Sequence, residues 1–152
     1  MMKIKNPAEE QLQIFLSSGL QLGQLLEQLL AYTGPARIVV STFSTGEEFL
    51  VKLHTLRKRG LVTEAICYTD IKAAEKTARN NTMARLAFDQ IHLCRNHSKV
   101  ILISGVEMSV AVLTSQNTTR GNRLESYVIL YSAETVRMLA DSLAAYKTAK
   151  LW

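Results

Sequence analysis

The chain has 152 residues, of which 47% are hydrophobic and 20% charged, as is typical of a globular protein that buries a core. Its formal net charge of +5 and pI near 9.4 favour an anionic partner such as nucleic acid or a lipid head group. No apolar run has the length of a transmembrane helix or the character of a signal peptide, so we expect one cytoplasmic domain over residues 1–152.

The first predicted element is a long helix from residue 8 to about residue 32. Its leucines recur at spacings of three and four, which is the period of an amphipathic helix. Pro7 suits the first turn, and Gly34-Pro35 ends the helix. We interpret residues 1–33 as a helical extension that either packs on its own domain or contacts a second copy of the chain.

The following elements alternate between strand and helix. Short apolar runs predict strands at residues 37–43, 62–68 and 91–94, and capping residues followed by apolar stripes predict helices at 44–59 and 69–88. Cys67 and Cys94 lie in two of the apolar runs, without the spacing of a metal site. We therefore interpret both as buried free thiols in a reducing compartment.

The second half of the chain is rich in strands. An apolar run from Val100 is followed by further predicted strands at 108–114 and 124–131, with a polar loop at 115–123 between them. Ser132 then caps a closing helix. Early strand–helix alternation followed by hairpin-like strands predicts an α/β fold, in which helices cover a mixed sheet.

Polar side chains collect where several of these strands begin or end. His97 and Lys99 lie two residues apart, and so on one face of an extended segment, directly before a branched apolar run. Asn117 follows the strand that should return beside theirs, and Glu125 opens the strand after that. Strand ends that meet at one edge of a sheet can bring these four groups together.

These four residue types suit phosphodiester chemistry. A histidine can attack phosphorus and hold a phosphoryl group. A lysine and an asparagine amide can stabilise charge on the phosphate oxygens, and a carboxylate can orient the imidazole. A plain alternative for His97 and Lys99 is a solvated strand end.

The order of these residues resembles the phospholipase D superfamily, whose HKD motif is His-x-Lys, four residues, then Asp, followed by Ser-x-Asn and a downstream Glu. The matching residues in this chain are His97-Ser98-Lys99, Ser115-Gln116-Asn117 and Glu125. The strand at 37–43, the helix ending before Gly60 and the strand running into Asp70 also resemble the first half of the family's domain. Only the N-terminal helix is expected to lie outside the likeness.

This resemblance implies an α/β domain with a mixed β-sheet flanked by helices on both faces, and an extra N-terminal helix. Because the chain has one motif, it is similar to the Nuc-type endonucleases, which build the active site across a two-fold homodimer. The likeness implies that His97 is nucleophile and general acid, with Lys99, Asn117 and Glu125 as its catalytic partners. It also implies that neither a metal nor a cofactor takes part.

The leading hypothesis is a metal-independent phosphodiesterase that hydrolyses DNA or RNA through a phosphohistidine at His97. Ser115, Arg120 and Arg123 flank the predicted site and are candidates for contacting the phosphodiester backbone, although the two arginines also fit a solvated loop. The expected partners are nucleic acid and a second copy of the chain.

Two other functions remain open. Ser104 stands where the family motif has Asp, and Asn117 comes later than in the family pattern. A catalytically impaired module that binds nucleic acid or serves in assembly is therefore an alternative. A phospholipid hydrolase would need a route to the bilayer, and the chain has no interfacial helix with aromatic residues opposite a cationic face. We therefore expect no stable membrane association.

Overall fold

The computed structural model describes residues 2–77 and 82–151, which form one mixed sheet with helices packed against it. The elements in chain order are β1 (Leu12–Ser18), α1 (Leu22–Thr33), β2 (Ala36–Thr42), α2 (Glu47–Lys58), β3 (Val62–Asp70), α3 (Ile71–Thr77), α4 (Thr82–Ala87), β4 (Gln90–Cys94), β5 (Val100–Gly105), β6 (Ser109–Thr114), β7 (Leu124–Tyr131), α5 (Ala133–Ala145) and β8 (Ala149–Lys150).

The order of strands across the sheet is β1-β7-β6-β5-β2-β3-β4-β8. The strands β2, β3 and β4 run parallel, because a helix or pair of helices crosses over between each of them and the next. The other neighbouring strands pair antiparallel, including the β5–β6 hairpin. The mixed α/β sheet predicted from the sequence is therefore confirmed.

Helices cover both faces of the sheet, as expected. The helices α1, α2 and α4 enclose the larger core on one face, where Leu25, Leu50 and Ile38 are fully buried. On the other face α5 packs across β5 and β6, and its Val136 joins a smaller core with Leu102. Burying apolar side chains on both faces makes β2 and β5 almost continuously apolar, which explains why they were predicted readily.

The prediction of one helix over residues 8–32 is wrong, because residues 12–18 form the strand β1 and only α1 is helical. β1 pairs antiparallel with β7, which supplies its backbone hydrogen bonds. Leu12, Ile14 and Leu16 alternate outward along it, while Gly19, with φ of 83°, turns the chain into α1. Leucines spaced by four residues fit both the 3.6-residue period of a helix and the two-residue period of a strand. Only the pairing with β7 decides between helix and strand. Residues 1–33 thus contribute an edge strand to the sheet as well as a helix.

The remaining elements differ from the predictions mainly at their ends. The strand β3 continues to Asp70, so the predicted helix at 69–88 begins later and is seen as α3 and α4; residues 78–81 lie outside the described part. Ser132 caps α5 as predicted, since its hydroxyl accepts from the Thr135 N–H at 3.0 Å. Within the described residues, no helix combines the length and apolar character needed to cross a membrane.

Candidate functional site

The predicted site residues come from strand ends that meet at one edge of the sheet. His97 and Lys99 directly precede β5, and Glu125 lies at the start of β7. Between them, the Thr114 N–H donates to the Lys99 carbonyl at 3.1 Å, and the Thr114 hydroxyl donates to the Ser126 carbonyl at 2.8 Å. Thr114 lies opposite Lys99 and Tyr127 opposite Thr114, so Glu125 is two strands across and two residues along β7. With neighbouring strands about 4.8 Å apart and about 3.3 Å per residue, its backbone lies about 12 Å from that of Lys99.

His97 and Lys99 are in direct contact. Lys99 Nζ lies 3.0 Å from His97 Nδ1 and donates to the His97 carbonyl at 2.8 Å, and the histidine is exposed. Because an ammonium group can only donate, Nδ1 is the acceptor, and the proton of the neutral imidazole lies on Nε2. The ring of Phe43, with its centroid 5.5 Å from that of His97, forms one wall beside the imidazole.

Asn117 is oriented by the end of β2. Its Oδ1 accepts from the Phe43 N–H at 3.2 Å and from the Thr42 hydroxyl at 3.4 Å. A backbone N–H requires an acceptor, so the amide oxygen must face Phe43 and the amide nitrogen must face away. Within the described residues this NH2 group makes no hydrogen bond, which leaves two donors available for an anion. Phe43 therefore links Asn117 to His97, a role that its sequence position did not suggest.

The loop that carries Asn117 is held on both sides. Buried Gln116 accepts from the Tyr127 hydroxyl. Gln21, at the start of α1, donates to the Gly121 carbonyl at 2.9 Å and accepts from its N–H at 3.1 Å. A side chain at Gly121 would collide with Gln116, because a Cβ there would lie 2.1 Å from Gln116 Nε2. The loop is therefore fixed in place by α1 and β7.

Glu125 reaches the same edge but contacts Ser115 instead of His97. Its carboxylate accepts from the Ser115 hydroxyl, whose oxygen accepts from the Ser126 N–H at 3.0 Å. Burial, and secondarily the charge of Glu125, raises the pKa of Tyr127 to about 12, so this hydroxyl stays protonated as a donor. In the described part of the chain, no hydrogen bond joins Glu125 to His97.

A buried asparagine beside the histidine was missed by the sequence analysis. Asn96 Nδ2 donates to Ser41 Oγ at 2.9 Å and to the Tyr68 carbonyl at 3.0 Å, while Oδ1 accepts from the N–H and hydroxyl of Ser98 at 2.9 and 2.7 Å. The Asn96 N–H donates to Asp70 at 3.0 Å, and this bond is the main reason that the pKa of the Asp70 carboxyl is lowered. These bonds fix both neighbours of the histidine. A polar residue before a strand is so ordinary that no signal identified it.

Ser104 lies at the other end of β5. Five residues separate it from Lys99, which corresponds to about 16 Å at roughly 3.3 Å per residue. It is exposed and stands in register with Arg37 and Ser109. The position at which the family motif has Asp therefore lies at the far end of β5 from His97.

The two predicted backbone-contacting arginines lie in the loop between β6 and β7. Arg120 lines a cavity of about 210 Å³ together with Glu48 and Lys52 of α2. Arg123 is exposed. Among the described residues, neither arginine is hydrogen-bonded or ion-paired to His97, Lys99 or Asn117.

The described residues offer no group of three or more His, Cys, Asp and Glu side chains that could hold a metal ion. Cys67 and Cys94 are free and buried, and burial raises the pKa of both thiols. His92 stacks on Tyr68 with centroids 4.7 Å apart, and its ring nitrogens contact Thr148 and Gln90. His92 therefore has structural partners on both ring nitrogens and on its ring face.

The mixed sheet with helices on both faces is a phospholipase D-like fold. The phospholipase D family member Nuc from Salmonella typhimurium superimposes with a TM-score of 0.68 and 17% identity, over 91% of this chain and 96% of Nuc. Phosphatidylserine synthase from Haemophilus influenzae matches with a TM-score of 0.61 and 14% identity, and the archaeal chromatin protein TrmBL2 with 0.58 and 10%.

These likenesses establish the fold. The match to the synthase covers 92% of this chain but only 40% of the synthase. The match to TrmBL2 covers 91% of this chain but only 55% of TrmBL2. No protein-family model and no curated protein matches the sequence. Because the match to Nuc leaves less than a tenth of the chain uncovered, residues 1–33 cannot lie wholly outside the likeness as predicted.

Proposed function

We propose that the protein is a metal-independent phosphodiesterase that hydrolyses DNA or RNA in a site shared by two copies of the chain. The observation that carries this proposal is the 3.0 Å contact between Lys99 Nζ and His97 Nδ1 at an exposed sheet edge, beside the unused donors of Asn117. A cation, a nucleophile and amide donors are the groups that phosphoryl transfer needs. The net charge of +5 suits a polyanionic substrate.

In this mechanism Lys99 and the Asn117 amide bind oxygens of the scissile phosphate. His97 Nε2 attacks phosphorus, and the bond from phosphorus to the leaving nucleoside oxygen breaks while His97 of the second copy gives that oxygen a proton. Water then attacks the phosphohistidine and returns a proton to the second histidine. The phosphorus–nitrogen bond breaks, and the free imidazole is restored.

The present hydrogen bonds must change before attack. Nε2 attacks only when unprotonated, whereas the Lys99 contact keeps the proton there. A bound phosphate draws the Lys99 ammonium away, so Nδ1 can carry the proton instead. Glu125 can then accept from Nδ1–H after releasing Ser115, which orients the imidazole. Ser115, Arg120 and Arg123 are proposed to contact the backbone of the bound strand.

The test is cleavage of single- and double-stranded DNA and RNA by the purified protein in the presence of EDTA. We expect His97→Ala to lose at least about 10³-fold in kcat, as expected when a nucleophile is removed. His54→Ala is the matched control, since His54 lies on α2 outside the site, and it should keep wild-type activity. Full cleavage by His97→Ala would refute the proposal.

Sharing of the site predicts a specific mixing result. When wild type and His97→Ala are unfolded together and refolded, only dimers with two wild-type chains are active if each site needs both histidines. Activity then falls with the square of the wild-type fraction. A linear fall would show that each chain acts alone.

The late position of Asn117 supports a second candidate, a module that binds nucleic acid without cleaving it. TrmBL2, whose structure shows a mode of DNA binding, shares the fold. This candidate predicts salt-sensitive retention of oligonucleotides and no products. Any cleavage that disappears in His97→Ala excludes it.

We also propose that residues 1–152 act as one phospholipase D-like domain in the cytoplasm. The buried free thiols of Cys67 and Cys94 support this location, because neither is paired in a disulfide. Alkylation of the denatured protein taken directly from cells should modify both cysteines fully. Partial protection that disappears after reduction would contradict the location.

A further inference from the structure

Exposed apolar side chains form a strip on the sheet beside α5. The helix packs on β5 and β6, and the strands β7 and β1 continue the same face of the sheet beyond it. Three side chains of β1 point outward there, with exposed fractions of 54% for Leu12, 69% for Ile14 and 64% for Leu16. We define the apolar strip as the part of this face that carries Leu12, Ile14, Leu16, Leu124, Val128 and Leu130.

The register of the sheet shows that the apolar strip and α5 share one face. The side chains that stand opposite one another on successive strands, and so point the same way, include Leu102, Ala111, Leu130 and Leu12. Leu102 and Ala111 are buried together with Val136 of α5, whereas Leu130 is half-buried and Leu12 is exposed. Burial therefore decreases with each strand away from the helix, which shows that the cover supplied by α5 ends near β6.

The apolar strip has the composition of a protein contact. β1 contains no charged residue, and Glu125, the one charged residue of β7, alternates onto the opposite face of the sheet. β1 is also the edge strand of the described sheet, and it lacks the lysine or proline with which edge strands usually prevent association. Monomeric proteins rarely expose large contiguous apolar patches, so a strip of this kind indicates a partner that covers it.

The dimensions of α5 match those of the apolar strip. α5 has 13 residues and is therefore about 20 Å long and about 10 Å wide. β1 has seven residues and is about 23 Å long, and the two strands together are about 10 Å wide. A two-fold axis parallel to the strands, at the boundary between β6 and β7, sets the α5 of each copy on the apolar strip of the other. One face of the chain thus carries both halves of the contact.

The charges of α5 are also self-complementary. Ser142 and Tyr146 line a cavity toward β3 and β4, so the opposite flank of α5 faces β7. Arg137 lies on that flank, with Glu134 and Asp141 about one turn before and after it. Among the described residues, none of these three charged side chains makes an ion pair. In the two-fold arrangement the two α5 helices lie side by side, so each Arg137 can pair with an acid of the other copy.

The area of the contact is large enough for a dimer. Each helix covers a footprint of about 200 Å² on the apolar strip, and the two-fold axis repeats the contact, so about 800 Å² is buried when both surfaces are counted. The contact between the two helices brings the total to about 1,000 Å², which a specific interface should reach.

We propose that the apolar strip and α5 form the homodimer interface, and that the strip is covered by α5 of a second copy of the chain. The inference deepens the proposed function and rests on it for the homodimer, because the shared site needs a second copy and this face is the surface that binds it. A two-fold axis parallel to the strands also keeps the polar edges of both sheets at the same end of the dimer, as a shared site requires.

The test compares two lysine substitutions by sedimentation equilibrium of the full-length protein. Ile14→Lys places a charge on the apolar strip and should raise the dissociation constant of the dimer at least about tenfold, as expected when an isoleucine is no longer buried. Val106→Lys is the matched control, because Val106 is 75% exposed in the turn between β5 and β6, and it should leave the dissociation constant unchanged. Circular dichroism should show both variants folded. Equal dimerisation of wild type and Ile14→Lys would overturn the interface.

Cross-linking tests which surfaces meet. Cys67 and Cys94 are buried, so a bismaleimide linker of about 10 Å, the width of one helix, should react only with cysteines added at the surface. A mixture of Ile14→Cys and Met138→Cys proteins should give a cross-linked heterodimer, because Met138 is 58% exposed on the side of α5 away from its own sheet. Ile14→Cys alone should stay uncross-linked. Its cross-linking to itself would overturn the arrangement, because the two strips would then meet each other.

Other occupants and failure of the enzyme give different results. A wild-type protein that stays monomeric and binds phosphatidylcholine vesicles, with binding lost in Ile14→Lys, would overturn the inference, because a lipid surface would then cover the strip. Loss of the dimer in Ile14→Lys, without any cleavage by wild type, supports the interface and refutes the phosphodiesterase. Cleavage by a wild-type dimer whose stability is unchanged by Ile14→Lys supports the enzyme and refutes the interface.

Discussion

Replacing Asn96 with alanine removes the side chain that holds both neighbours of His97. Asn96 is 9% exposed, and its amide makes four hydrogen bonds at 2.7 to 3.0 Å. Alanine takes these partners from the Tyr68 carbonyl and the Ser98 N–H. With about 1–3 kcal/mol for each of these two buried groups left unpaired, the free energy of unfolding should fall by about 2–6 kcal/mol. A displacement of about 1 Å at His97 should lower kcat about 10²-fold.

Urea unfolding followed by circular dichroism measures the first effect, and oligonucleotide cleavage well below the unfolding transition measures the second. The matched control is Asn122→Ala, which truncates an exposed amide and should remain within about 0.5 kcal/mol of wild type. Stability of Asn96→Ala within the same margin would refute the reasoning about the buried bonds. Loss of stability with wild-type kcat would refute the positioning role.

Three further predictions concern other parts of the chain. Ser104→Ala should keep wild-type kcat, because Ser104 lies about 16 Å from the site; a tenfold loss would place it in the chemistry. Gly105→Ala should lower the free energy of unfolding by about 1–3 kcal/mol in urea, because a Cβ there would lie 2.4 Å from the Thr33 carbonyl; an unchanged midpoint would contradict this. Glu27 has a lowered pKa, first through its hydrogen bond from Lys52, so its contribution to stability is present above its unfolded pKa and disappears as the pH falls through the lower folded value. Glu27→Gln should therefore cost about 0.2–1 kcal/mol at pH 7 and less at pH 3, and an equal cost at both values would be inconsistent with the shift.

Local signals were sufficient for most of the fold. The strands β2 and β5 are buried on both faces of the sheet. Such strands consist almost entirely of apolar residues, so they could be recognised as apolar runs in the sequence. The acids and cations at the two ends of α2, and the hydroxyl cap of α5, act within one turn of the chain. The strand β1 was mistaken for helix, because its assignment depends on β7, more than a hundred residues away.

Part of the candidate site could also be predicted from local sequence. His97 and Lys99 could be predicted together, because two residues of one segment remain neighbours in any extended conformation. Their contact at 3.0 Å agrees with that expectation. The matching order of Asn117 and Glu125 indicated a shared sheet edge, and Asn117 is found bonded to Phe43 after β2 and Glu125 to Ser115 after β6.

The sequence by itself determined the polar residues available and the strands that carry them. Tertiary structure alone decided their partners: Phe43 orients Asn117 across 74 residues, Asn96 supports His97 through bonds to β2 and β3, and Glu125 contacts Ser115. The physical reason is that a hydrogen bond depends on atoms within about 3 Å, whichever part of the chain supplies them. Ser104 is remote from His97 although it is near in sequence, because five residues of an extended strand span about 16 Å.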